Sequence, residues 1–196
     1  MKKNHLNAKH QFKEAVSYIK SCSNLIYFSI FIFIFSAMIG FIFSDQFALQ
    51  IEKYIRELIS QTKDLNAIEM IFFILQNNLQ SALFSVLLGI FLGIFPIATA
   101  LANGVVIGFV LNKTYEIAGF TSWWRLLPHG IFELPAIFIS FGLGMKLGFY
   151  IFSKNPNKTQ EFKKRFYNSM NAFLMLIIPL LLIAAVIEGL LIVLLE

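Results

Sequence analysis

The 196-residue chain reads as an all-α, polytopic bundle of about five transmembrane helices, and two observations predict that class. It is 58% hydrophobic and only 14% charged, with a mean hydropathy of +0.73, whereas soluble domains carry about 25% charged residues. Charge is absent from Met70 through Asn112, and again from Phe166 through Ile187, although one crossing needs only about 20 residues. A soluble core is excluded. A single integral domain of the cell membrane, multi-pass, is expected.

The first element is a polar tail over residues 1–24. The apolar run after it is too long for the core of a cleaved signal and has no small-residue cleavage site, so no cleaved signal is expected. Five spans follow: Leu25 to Phe43, Met70 to about Ile94, Pro96 to about Leu111, Leu126 to Met145, and Asn171 to Leu195. The uncharged stretch from Met70 must reverse, and Gly93-Ile94-Phe95-Pro96 supplies the turn, because glycine tolerates unusual dihedrals and proline starts helices well. The third span is therefore expected to be short.

Charge sets the orientation. Lys2, Lys3, Lys9, Lys13 and Lys20 precede the first span, and Lys146, Lys154, Lys158, Lys163, Lys164 and Arg165 lie in the loop at 146–170. Both segments look cytoplasmic, with the amino terminus in and the carboxyl terminus out. Trp123-Trp124 then marks the outer interface. The net charge of +5 follows these membrane-flanking lysines, so nucleic acid is not an expected partner, whereas membrane lipid is. Cys22 is the single cysteine and excludes an intrachain disulfide.

The outer loop at 44–69 places Phe47, Ile51, Tyr54, Ile55, Leu58 and Ile59 opposite Glu52, Lys53, Arg56 and Glu57. That spacing predicts an amphipathic helix that lies on the surface or meets a partner. In the tail, Phe12, Val16 and Ile19 form a weaker stripe suited to the headgroup layer. Three glycine pairs at four-residue spacing, Gly89 with Gly93, Gly104 with Gly108 and Gly144 with Gly148, allow close helix approach within the chain or in a homodimer.

Polar residues inside apolar segments carry the functional signal, because ionisable groups at membrane depth are expensive unless paired, wet or functional. His129 and Glu133 lie one turn apart on one helix face. At 1.5 Å of rise per residue, Glu133 and Glu188 both sit roughly 10 Å deep from the outer side, Asn77 and Asn78 at about 11 to 12 Å, Asn103 at about 13 Å and His129 at about 5 Å. Four spans thus contribute to one proposed layer.

Three chemistries fit these groups. His129, Glu133 and Glu188 are candidate ligands for zinc, manganese or iron, and such a metal with an open position would activate water in a hydrolase. The carboxylates would equally exchange protons or bind a cation in a transporter or channel. A hydrogen-bonded network joining helices is the third, although interhelical polar pairs contribute only about 0.6 kcal/mol on average, little reason for six convergent groups. Pro128 and Pro135 shape helix ends, Ser85 and Ser140 show no histidine partner, and no phosphate loop, paired-cysteine metal motif or nucleophile elbow is present.

Asn77-Asn78, Gly89, Gly93, Asn103-Gly104, Gly108, Pro128-His129-Gly130-Ile131-Phe132-Glu133 and Ile187-Glu188 together resemble the stage II sporulation protein M family over roughly residues 70–190. The resemblance implies a similar five-span protein and, in spore formers, a membrane scaffold that recruits peptidoglycan-degrading enzymes during engulfment. It implies Asn78, Asn103, Gly104, His129, Glu133 and Glu188 as signature residues, none assigned to catalysis. The leading expectation is a noncatalytic scaffold needing no cofactor, with membrane or cell-wall-associated proteins as partners.

Overall fold

A computed structural model describes residues 8–121, 123 and 127–195, with the side chains of 127–129 and 192–195 outside the description. Lys2, Lys3, Trp124, Arg125 and Leu126, which figure in the predicted topology, lie outside the described residues. Among those described, every regular element is helical and five helices are long and apolar enough to cross a membrane.

Helix α1 (Ala8–Ser21) meets α2 (Ser23–Ile42), the first span, at Cys22. Helix α3 (Ser44–Thr62) follows Phe43 as the expected amphipathic helix. Helix α4 (Ala67–Leu87) opens on a capping box in which the Asn66 side chain accepts from the Ile68 and Glu69 N–H groups while the Glu69 carboxylate accepts from the Asn66 N–H. Those bonds satisfy amide donors that a helix start leaves open.

The predicted reversal is a tight one. Leu88–Ile90 wind into a 3-10 turn, Leu92 and Gly93 adopt φ of 56° and 70°, and α5 (Ile94–Ala118) departs with Pro96 in its first turn, where no backbone donor is needed. The third span is not short. It runs 25 residues to Gly119, at φ 72°, because Lys113 does not end it: the ammonium reaches Glu116 at 3.0 Å and Asp45 of α3 at 3.2 Å.

Helix α6 (Leu127–Gly148) is the fourth span, with Pro135 inside it. The expected basic loop is then largely helical: a 3-10 turn at Phe149–Phe152 leads to α7 (Lys158–Ala172), whose first turn is capped by the Asn157 side chain accepting from the Gln160 N–H. A π-turn at Phe173–Ile177 joins α7 to α8 (Ile178–Leu195), and Ile178 donates five residues back to Phe173. Pro179 explains the widened turn, since it has no N–H for the carbonyl four residues earlier.

Helix α6 is central, with half of its apolar window buried against 22–28% for the other four spans. Small residues let the helices meet. A Cβ on Gly104 or Gly108 would strike Phe33, Ser36, Ala37 or Phe41 of α2, and one on Gly89, Gly144 or Gly148 would strike the backbone where the α4–α5 turn crosses α6. Gly93 lies against Met145 and Phe149. All six glycines of the three pairs are thus occupied inside the chain.

On the side opposite α3, charge ties three elements together. Arg165 of α7 donates to the Glu161 carboxylate at 2.7 Å and to the Lys146 carbonyl at 2.6 Å, and Lys146 donates to the Ser21 carbonyl at 3.0 Å. Asn171 donates to the Gln11 carbonyl at 2.9 Å. Helix α1 is thereby fixed along α7.

Candidate functional site

The α4–α5 turn holds those two helices together at one end, and α5 then runs along α2 while α4 runs along α6 and α8. The gap this leaves is a cavity of about 870 Å³ beneath α3. Helix α3 roofs it with Leu58, Ile59 and Thr62, joined by Lys63 just past its end, because Ile51, Ile55, Leu58 and Thr62 fall on its inward face. Phe73 and Ile74 of α4, Ile107 and Leu111 of α5, and Leu134 of α6 make apolar walls.

Four predicted polar residues line this space: Asn77 and Asn78 from α4, Glu133 from α6 and Glu188 from α8. Asn78 of α4 and Glu188 of α8 both approach the Glu133 carboxyl across this space. Glycines permit the meeting. A Cβ on Gly189 would strike Ile71, so its absence draws α8 onto α4 beside Glu188. Gly130 lines the cavity one turn before Glu133, where a Cβ would meet only the Leu134 side chain at ordinary contact distance.

Asn103 does not line the cavity. Its amide donates to the Thr99 carbonyl of its own helix at 2.9 Å. The cause is the length of α5: counted from Ala118, Asn103 lies roughly 22 Å in, not 13 Å, and Ile107 and Leu111 occupy the level of the acids. His129 falls in the first turn of α6, and its imidazole lies outside the described residues. Among the described residues no three His, Cys, Asp or Glu side chains gather as a metal set. The site pairs two carboxylates and two carboxamides with an apolar enclosure, a combination able to hold a proton, a cation or a donor-rich head group.

A family model described as stage II sporulation protein M matches residues 29–191, most of the chain. The chain belongs to this family. No curated protein and no solved structure matches it. The match to stage II sporulation protein M takes in every cavity-lining element and leaves α1 outside.

Three contributors escape sequence reasoning. Trp123, expected with Trp124 as an interfacial anchor, turns inward: its indole N–H donates to the Leu111 carbonyl at 3.1 Å, its ring meets Phe41 edge-on, and it walls the cavity. No local pattern marks that. Thr62 and Lys63 also join the site, and the i, i+4 continuation from Leu58 is the signal that places Thr62.

Proposed function

We propose that this stage II sporulation protein M family member is a noncatalytic scaffold of the cell membrane, with α1 and α7 on the cytoplasmic side and α3 outside, where α3 organises membrane or cell-wall-associated proteins. One observation carries the reading. Among the residues of α3 only Ser44 and Ile51 are buried, and its outward side presents Glu52, Lys53, Arg56 and Glu57 beside Leu49, which is 80% exposed. Leu49, Glu52, Lys53, Arg56, Glu57 and Ser60 line one shallow groove on this side, which suits a polar partner that also covers the one apolar side chain. Photo-cross-linking from Leu49 in native membranes is expected to yield discrete protein adducts; adducts to lipid alone would contradict the reading.

A second reading, transport, is favoured by the cavity that joins Asn78, Glu133 and Glu188. It requires cation or proton flux in proteoliposomes that falls in Glu133→Gln and Glu188→Gln proteins. Flux unchanged by both substitutions removes it and leaves the scaffold reading intact.

A further inference from the structure

The lipid-facing sides of the spans are apolar with one exception. Past Asn24 at its start, the exposed positions on α2 are Tyr27, Phe28, Phe31, Ile34, Phe35, Met38 and Ile42, and those on α8 after Pro179 include Leu182, Ile183, Val186 and Leu190. Helix α4 differs. Gln76 and Gln80 are exposed, one turn apart, between exposed Phe72 and Phe84, and the cavity-lining Asn77 beside Gln76 is exposed as well. Counted from Met70, after the charged Glu69, they lie about 9 and 15 Å deep in a bilayer about 30 Å thick.

These amides do not belong to the cavity. Cavity-lining positions on α4 centre near Ile74 and Asn77, and the wheel of 100° per residue turns Gln76 and Gln80 to the neighbouring outward face. Among the described residues neither amide has a hydrogen-bond partner within the chain. Lipid supplies none at that depth, and unsatisfied polar groups there are strongly unfavourable. Something with donors and acceptors at the same level must cover them.

We infer that a second copy of this chain covers them, with α4 packed against α4 in a two-fold homodimer. Two copies inserted in the same sense are related by an axis along the membrane normal, so a residue at a given depth meets its own counterpart. A carboxamide has both donor and acceptor, and Gln76 therefore pairs with Gln76 of the second copy, and Gln80 with Gln80. Phe72 and Phe84 close the seam above and below. The glycine pairs, the other sequence feature suited to dimerisation, are already used inside the chain.

The test is disulfide cross-linking in membranes, with single cysteines at positions 72 to 84 in a Cys22→Ala background and Leu101→Cys on α5 as control. Expected is efficient dimer formation at 76 and 80, minima at Asn78 and Ala82, and none at Leu101. In liposome dilution measured by energy transfer, Gln76→Leu with Gln80→Leu weakens self-association at least about tenfold, whereas Gln76→Asn with Gln80→Asn retains most of it. Monomers throughout, a cross-linking maximum on another helix, or adducts at 76 and 80 to a different protein would overturn the inference.

Discussion

Tyr18 lies where α1 crosses α7, its hydroxyl 3.4 Å from the Arg165 carbonyl, and burial pushes its pKa up from 10.0 to about 12. A phenol that ionises less readily when folded holds its proton longer in the native state, so its contribution is complete below pH 10 and is lost as the pH rises toward 12. Thermal melts of the purified protein are therefore expected to fall across that window, with a shallower fall in Tyr18→Phe; an identical slope in both would contradict the assignment. The cavity residues teach a different lesson at this scale. Counting depth along an assumed helix brings Glu133 and Glu188 to one level, and they line one space. The same count misplaces Asn103, because it takes Lys113 as the end of a span that the chain continues through ion pairs to Asp45 and Glu116.

Helix existence was more legible than helix ends. The existence of five spans follows from apolar length and sparse charge, and the α4–α5 reversal from Gly93 and Pro96. What eluded sequence reasoning is α7 as a helix, which α6 and α1 receive through Arg165 and Asn171, and the π-turn before Pro179. Small residues decide the packing, and they separate two kinds of glycine. Gly104 faces the Phe33 carbonyl and Ser36 across the α2–α5 seam, whereas a Cβ on Gly130 would touch only Leu134 at ordinary distance. Gly104→Leu is expected to destabilise the bundle by about 1–3 kcal/mol through overpacking, and Gly130→Ala to stay within about 0.5 kcal/mol. Denaturation in mixed detergent micelles distinguishes them, and equal losses would refute the seam.

For the molecule as a whole, the two ends of the bundle are chemically unlike. One end carries α1 and α7 with exposed lysines at 13, 20, 154, 163 and 164, and the other carries α3 over the cavity. The positive-inside rule turns that asymmetry into an orientation, and the scaffold reading depends on it, because α3 meets cell-wall-associated partners only from outside. The direct measurement is labelling by a membrane-impermeant maleimide in intact cells, in a Cys22→Ala background, with Leu49→Cys on α3 and Lys154→Cys before α7. The account predicts that Leu49→Cys labels in intact cells and Lys154→Cys only after lysis. The reverse pattern would place α3 in the cytoplasm and contradict it.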